Sequence, residues 1–449
     1  MKRIIWFFWV FLVLLSAFWL MADTLWPEQI EYFAFRKVWV QYSGVLAFGV
    51  MSLAMLLAVR PVWLEKPLGG LDKMYRLHKW LGIAALVIGI VHWVWAKGTK
   101  WAVGWGWLVR PTQKMDGSGM QRSVLESALR DWRGQAETMG EWAFYAAVIL
   151  IVLALVKRFP YRLFAKTHFV LAGLYLILVL HAVVLVEFVY WSQPIGWVLA
   201  IMMLGGTFCA VLVLSGRVGQ ARTAYGVIDF LQSYPTLNAL EIRLRMKEGT
   251  WRGHQPGQFV FATSNPKEGA HPYTIASAWN EAEQCMTFVT KALGDHTETL
   301  AQRLCVGDGV KVEGPYGCFT FDDDKPRQIW IGGGIGITPF IARMKYLAQA
   351  AHEQKQHTVD LFHATAEHDP LAIEKLCADA EAAGVKFHLF IDQRDGRLTG
   401  ERLRALVPEW KDASVWFCGP VGFANALRAD LVAHGLPEQS FHQELFEMR

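Results

Sequence analysis

A run of ~20 apolar residues has few structural options, and the first half of this chain is built from such runs. Six occur, at roughly residues 4–22, 42–59, 77–96, 142–156, 168–190 and 195–214. In hydrocarbon every backbone N–H and C=O needs an internal partner, so each run is predicted as a membrane-spanning helix. The fourth is the shortest. The first has an apolar core longer than that of a secretory signal and no A-x-A site after it, so it is read as an anchor. Beyond about residue 214 the chain becomes charged and punctuated by Gly and Pro, the pattern of a water-soluble α/β protein. One half is expected in lipid and the other in water.

The basic residues give the orientation. Lys2 and Arg3 precede the first run, Arg60, Lys66, Lys73, Arg76 and Lys79 fall between the second and third, and Lys157, Arg158, Arg162 and Lys166 fall between the fourth and fifth. These are alternate loops, and the positive-inside rule places them in the cytoplasm with both termini and the soluble half. Six cysteines without a CxxC pair agree with a reducing compartment. A net charge of +4 without a Lys/Arg block argues against a nucleic-acid partner.

Of 14 histidines, only His78, His92, His168 and His181 precede residue 250. A single intramembrane histidine is as readily a polar bond to a neighbouring helix as a ligand. Four in two pairs point to metal, because ionisable groups in a bilayer are costly and neutral imidazole is a common ligand. The third and fifth runs cross in the same direction, so His78 lies level with His168 near the cytoplasm and His92 with His181 farther out. Each level offers two facing imidazoles, one axial pair per haem iron. Fourteen residues separate the levels by ~21 Å and return to within ~40° of one helix face, whereas thirteen leave an offset of ~140°. The fifth helix is therefore expected to bend, rewind, or meet its two haems from different faces.

The soluble half reads in two parts. Strand-like segments NALEIRLRM, GQFVFAT, QCMTFVTKA and GVKVEGPYG, separated by turns, predict a small antiparallel barrel. Within it HPYTIAS, residues 271–277, offers a Tyr ring for stacking and a Thr hydroxyl for bonding, as an isoalloxazine requires. Next, QIWIGGGIGITPFIARMKYLAQA is a strand, a glycine turn and a helix with Pro339 in its first turn. Glycines admit a pyrophosphate to the backbone at a helix N-terminus, and such turns are also used purely structurally. The runs VDLFHAT, VKFHLFI and VWFCGP alternate with helical patterns, predicting a doubly wound parallel sheet.

Two histidines fourteen apart in one span and two thirteen apart in another, ahead of these motifs, resemble the NADPH oxidase and ferric reductase superfamily. The resemblance covers essentially the whole chain. It implies a di-haem transmembrane domain over residues 1–216, an FAD-binding β-barrel over 217–325 and an NAD(P)H-binding α/β domain over 326–449. The implied cofactors are FAD, two b-type haems and NADPH or NADH, with His78, His92, His168 and His181 as iron ligands. HPYT resembles the flavin signature, implying His271, Pro272, Tyr273 and Thr274 at the flavin, with His271 where soluble relatives carry Arg. LGDHT implies Gly294, Asp295, His296 and Thr297 near the FAD diphosphate. The glycine turn implies Gly332, Gly333, Gly334, Gly336, Thr338 and Pro339 at the nucleotide. VWFCGPVGF implies Cys418, Gly419 and Pro420 near the hydride, and FHQELFEMR implies Phe446 as the aromatic covering the flavin. Tyr273, Thr274, Cys418 and Phe446 are the residues implied at the reacting rings.

Nicotinamide choice stays open, since FIDQRDGR offers Asp392 to a ribose hydroxyl and Arg394 or Arg397 to a 2′-phosphate. The expected activity passes electrons from cytoplasmic NAD(P)H through FAD and haem to an outer acceptor, dioxygen or a ferric chelate, across a bacterial inner membrane. A periplasmic protein as acceptor, or a non-catalytic haem sensor, are the alternatives. No obligatory protein partner is expected, because no regulatory module is visible. The segment 97–141, with Trp101, Trp105 and Trp107 and a helix expected near 123–132, either roofs the outer haem or forms an interfacial aromatic belt.

Overall fold

The computed structural model describes residues 2–27, 31–109, 123–156, 158–292, 295–349 and 357–444. The chain divides into two compact units. One comprises Met1–Trp63 with Lys73–Val218, the other Leu64–Asp72 with Gly219–Met448.

The first unit is helical: α1 (Lys2–Leu20), α2 (Tyr32–Ala58), the short α3 (Glu65–Leu68) that is counted with the second unit, α4 (Leu71–Gly104), α5 (Val124–Asp131), α6 (Arg133–Leu155), α7 (Tyr161–Leu185) and α8 (Pro194–Leu214). Six of these are long and apolar enough to cross a membrane. Several run past the apolar windows in the sequence. At 34 residues α4 is ~51 Å long against ~30 Å of hydrocarbon, and α6 begins at Arg133. The extra turns of α4 and α6 are held by ion pairs between them, Lys97 with Glu141 and Lys100 with Glu137. Charged residues are good helix formers once partnered, so the helix continues where apolar character stops. Small and aromatic residues of α2, α7 and α8 pack inward, among them Phe48, Ala172, Tyr175, Leu199 and Ala210. Trp6, Ile149, Ile201 and Leu204 face outward, as a lipid solvent allows.

The second unit opens with a six-stranded antiparallel sheet, β1 (Thr223–Tyr234), β2 (Ala239–Met246), β3 (Phe259–Thr263), β4 (His271–Thr274), β5 (Cys285–Lys291) and β6 (Gly309–Tyr316), in the order β4-β3-β6-β1-β2-β5. Short helices α9 (Asp295–Glu298) and α10 (Leu300–Arg303) connect β5 to β6. Alternate residues point inward, such as Leu240, Ile242 and Leu244 on β2 and Val310 and Val312 on β6, and they make a single core. Ile275, just past β4, bridges Phe288 of β5, so the two edge strands approach one another.

The chain then alternates strand and helix: β7 (Arg327–Gly333), α11 (Thr338–Gln349), β8 (Thr358–Thr365), α12 (Pro370–Ala383), β9 (Lys386–Ile391), α13 (Asp392–Asp395), α14 (Gly400–Leu406), β10 (Ser414–Cys418), α15 (Val421–Ala433) and β11 (Phe441–Gln443). The five strands are parallel in the order β11-β10-β7-β8-β9. On β7, Ile329 and Ile331 enter one apolar layer with Phe417 and Leu427, while Trp330 enters the opposite layer with Phe340 and Leu376. A sheet buried on both faces by helices is the doubly wound arrangement. Local chemistry sets the helix ends: before α12, Asp369 accepts the Ala372 N–H at 3.1 Å, Pro370 follows, and Gly384 stops the helix at φ +67°. Asp323, between the two sheets, accepts bonds from Ser414 Oγ (2.5 Å), Trp416 Nε1 (3.0 Å) and Gln328 Nε2 (3.1 Å).

Candidate redox site

In the membrane half, α4 and α7 bring the four histidines together in the two predicted pairs. The imidazole centres of His78 and His168 lie 5.8 Å apart, and those of His92 and His181 lie 6.4 Å apart. Two imidazoles on one metal, each bonded at about 2 Å, leave ring centres roughly 6 Å apart. Backbone carbonyls orient three of the rings. His78 Nδ1 is 3.0 Å from Ala54 O, His92 Nδ1 is 3.1 Å from Val40 O, and His181 Nδ1 is 2.9 Å from Ala136 O. Such bonds fix the proton on Nδ1 and leave the Nε2 lone pair for a ligand role. His168 Nδ1 is buried without a hydrogen-bond partner among the described residues.

Space for a flat macrocycle accompanies the His92–His181 pair. A cavity of about 240 Å³ is lined by Gly44, Phe48, His92, Gly140, Phe144 and His181. A Cβ on Gly140 would lie 2.0 Å from His181 Nδ1, and one on Gly44 would lie 3.2 Å from His92 Cε1. Glycine is therefore needed at both positions for the rings to stand where they do. Toward the His78–His168 pair, Gly82 and Gly173 on the same two helices face open space. The residues present fit two bis-imidazole haems. The thirteen-residue spacing is not absorbed by a break, since α7 is continuous α-helix from Tyr161 to Leu185. Its two rings leave different faces of the helix.

Sequence reasoning passed over Arg36 of α2, which lines the outer end of this cavity with its Nε and Nη2 bonded to Trp95 O (3.1 Å) and Ala96 O (2.9 Å). The signal was available: it is a guanidinium within a helix that is otherwise mostly apolar.

In the soluble unit, His271, Pro272, Tyr273 and Thr274 constitute β4, paired with β3 so that Tyr273 lies opposite Val260. The Tyr273 ring sits 5.7 Å from Phe288, and burial holds its hydroxyl above the usual tyrosine range. Gly294 lies outside the described residues. Asp295, His296 and Thr297 begin the short helix α9.

The parallel sheet joins two motifs that are about 85 residues apart in sequence. Cys418 of β10 is in register with Gly332 of β7. A Cβ on Gly336 would lie 2.2 Å from Cys418 O, one on Gly333 would lie 2.9 Å from Pro420 Cδ, and one on Gly419 would lie 3.0 Å from Gly333 Cα. The glycine turn and the Cys418-Gly419-Pro420 turn thus touch backbone to backbone at the carboxyl edge, where doubly wound sheets bind ligands. Gly334 (φ +55°) turns the chain, Thr338 Oγ1 donates to Ile335 O at 2.7 Å, and Pro339 is buried in the first turn of α11. His363 of β8 is buried below the turn, its Nδ1 3.2 Å from Gly332 O, and burial lowers its pKa to about 4. We expect Gly336→Ala to lower thermal stability by about 1–3 kcal/mol through overpacking and to slow flavin reduction together with it. Unchanged values for both in a melting and stopped-flow comparison would contradict this contact.

Cys418 is fully buried, and burial, with the Glu444 carboxylate, pushes its thiol well above the usual range. Glu444, itself buried, was not singled out in the sequence, although an acid in the apolar surroundings of QELF is a recognisable anomaly. Phe446 lies outside the described residues. Arg394 is exposed, forked onto Asp395 by two bonds of 2.9 Å.

Comparison with known proteins agrees with this division. Residues 43–179 match the model of the ferric reductase like transmembrane component, and residues 230–320 match an FAD-binding domain. Among curated relatives, the flavohemoprotein of Halalkalibacterium halodurans is 29% identical over 220 residues, 43% of this chain and 52% of the relative. Flavohemoprotein A of Dictyostelium discoideum is 29% identical over 146 residues, 31% of this chain and 36% of its own. The toluate 1,2-dioxygenase electron transfer component of Pseudomonas putida is 23% identical over 261 residues, covering 56% and 76%. The chain thus spans about half or less of the two flavohemoproteins. Among solved structures, the FAD/NAD-binding domain of nitric oxide dioxygenase from Vibrio cholerae superposes with a TM-score of 0.42 at 22% identity, covering 50% of this chain and 98% of that domain. The chain thus places a ferric reductase-like transmembrane domain ahead of an FAD-binding domain, an order that matches the architecture of the NADPH oxidase and ferric reductase superfamily.

Proposed function

We propose that the protein moves electrons from NAD(P)H on the cytoplasmic side of a bacterial inner membrane to an acceptor on the outer side, dioxygen or a ferric chelate. The observation that carries this reading is the pair of facing imidazole sets, each at the separation of a shared metal and three of the four rings anchored at Nδ1. A redox sensor or a helix scaffold has no need of two such levels joined to a flavin and nucleotide half. When bound, FAD divides a hydride into single electrons and haem iron carries them one at a time.

The chain's own residues do the rest. Tyr273 and Thr274 present a ring and a hydroxyl to the isoalloxazine, with His271 and Pro272 completing the strand. Gly334 would leave the backbone open to the pyrophosphate, Gly332, Gly333 and Gly336 let the turn close on Ile337 and on Cys418-Gly419-Pro420, and Thr338 and Pro339 start the helix whose N–H groups would face the pyrophosphate. Cys418, Gly419 and Pro420 shape the nicotinamide end, the buried thiol staying protonated at neutral pH. Asp295, His296 and Thr297 at the start of α9 would hold the FAD diphosphate; Gly294 and Phe446, which the resemblance implies at the diphosphate and over the flavin, lie outside the described residues. His78 and His168 would hold the inner iron, and His92 and His181 the outer.

An anaerobic visible spectrum of the detergent-purified, FAD-supplemented protein tests the reading. Adding NADH or NADPH should produce b-type haem bands that collapse on admitting air or a ferric chelate. Haem bands that ignore both nucleotides, or no haem bands at all, would end the proposal.

A further inference from the structure

We propose that Trp416 and Asp323 are positioning residues for hydride transfer: together they lock the strand that ends in Cys418 to the segment that leaves the flavin sheet. The proposal rests on the reading of Tyr273-Thr274 as the flavin end, and Cys418-Gly419-Pro420 as the nicotinamide end, of one reductase. The transferred hydride carries two electrons and one proton, so the nucleotide is oxidised as the flavin is reduced, and the step requires the two rings to meet in a fixed geometry. Those two ends stand on different sheets. Only residues 317–326 join the sheets along the chain, since β6 ends at Tyr316 and β7 starts at Arg327.

This segment is packed into both sheets. On the flavin side, Phe259 of β3 is in register with Thr274 of β4 and with Tyr316 of β6. A Cβ on Gly317 would lie 3.2 Å from Phe259 Cδ1, and one on Gly257, just before β3, would lie 1.8 Å from Phe319 O. On the nucleotide side, Phe319 and Phe321 enter the buried layer that also holds Trp330, Phe340, Trp416 and Cys418. The Trp416 ring is 5.0 Å from that of Phe319 and 5.2 Å from that of Phe321, and it stacks on His442 of β11 at 4.1 Å. Contact therefore runs from the strand partner of Thr274 to a residue two positions before Cys418, on the same face of β10.

Phe321 shows how firmly the segment is held. Its φ of +63° puts a bulky side chain in the left-handed region, a conformation that persists only where the surroundings over-determine it. The ring is fully buried, the Phe321 carbonyl accepts the Gln328 Nε2–H at 2.8 Å, and the Arg343 guanidinium lies 5.7 Å over the ring. Asp323 then fastens the segment to β10. Its Oδ1 accepts the Lys325 N–H at 2.9 Å, while Oδ2 accepts from Trp416 Nε1 at 3.0 Å and from Ser414 Oγ at 2.5 Å. Packing alone would fill this layer with an apolar ring. The indole N–H adds a directional bond, and a carboxylate is a stronger acceptor than a neutral group.

Anaerobic stopped-flow reduction of the FAD-loaded full-length protein by NADH and by NADPH, with rates expressed per bound flavin, tests this. Trp416→Phe keeps a ring in the layer but loses the N–H bond, and Asp323→Asn weakens the acceptor. Displacement by about 1 Å can cost up to about 10²-fold in rate, so we expect each variant to lower the limiting rate about 10-fold while KM stays within about 2-fold. The double variant should lose no more than either single one, because both break the same bond. Without nucleotide, amide hydrogen exchange should quicken together at residues 318–323 and 414–418 in both variants. Limiting rates per bound flavin equal to those of the unaltered protein overturn the inference, even if the variants melt at a lower temperature. So do losses that multiply in the double variant, or exchange that quickens in one segment alone. If neither nucleotide reduces the flavin of the unaltered protein, the reductase reading falls and takes the inference with it.

Discussion

On the proposed two-haem reading, Gly140→Leu will remove one haem from the protein and leave the other. The β-carbon alone would stand 2.0 Å from His181 Nδ1, far inside contact distance, so the imidazole must swing away and lose its bond to Ala136 O, 2.9 Å in the intact protein. A ligand whose orienting partner is lost typically binds metal 10–100-fold more weakly, and here the ring itself is displaced. The His78 and His168 rings contact other parts of the bundle and should keep their haem. The measurement is haem per protein, which we expect to fall from two to one, with the reduced b-type band halved. Gly134→Leu is the control: the same helix carries it, but nothing lies within 4 Å of its Cβ position. Retention of both haems in Gly140→Leu would refute the assignment of the outer site to His92 and His181.

Acidification between pH 6.5 and 4 will destabilise the reductase unit steeply. His363 is buried and His254 half-buried, and both are held neutral, each with its pKa lowered from 6.5 to about 4, chiefly by desolvation. His254 is committed to that state, since Nδ1 accepts the Trp251 indole N–H at 3.4 Å and Nε2 donates to Ser277 O at 3.0 Å. The unfolded chain binds a proton at each site below about pH 6.5 while the folded unit resists until about pH 4. Unfolding therefore gains protons throughout this window, and stability falls with pH. Full development of the effect is worth at most about 3 kcal/mol per histidine. It is complete below pH 4 and absent above 6.5. Release of FAD fluorescence during thermal melts at pH 7.5, 5.5 and 4.5 should report a falling midpoint, and His254→Gln should melt with a shallower dependence on pH. A midpoint that does not move over this range would show that both rings titrate normally.

The spans were legible because lipid imposes a length and an apolar composition on any helix that crosses it, and the His78/His168 and His92/His181 pairs because ionisable residues stand out there. Helix ends were less legible. The outer turns of α4 and α6 are charged in sequence and look like loop until Lys97 meets Glu141. Periodicity and turn chemistry foretold both sheets, down to the β7 turn, because alternation and glycine reflect local geometry. What one sequence cannot display is which distant charges neutralise each other. Arg327 and Asp360, 33 residues apart, meet only once β7 and β8 lie side by side. Arg36 and Glu444 were missed for the opposite reason: each is a charge beside aromatic and aliphatic residues, visible in the sequence, and its burial or cavity position shows only in the fold.

The placement of Leu64–Asp72 within the second unit bears on how the protein is made. Glu65 is buried and accepts the Gly317 N–H at 3.3 Å across 252 residues of chain. At about 5–20 residues per second, a ribosome needs some 13–50 seconds after making Glu65 before its partner exists. The connection between α2 and α4 is therefore left unfinished through the insertion of every later span. A chain cut after Val218 would keep all six helices yet carry the Leu64–Asp72 segment permanently without its partner, so the membrane half expressed alone should attract chaperones and proteases at a site the complete protein conceals.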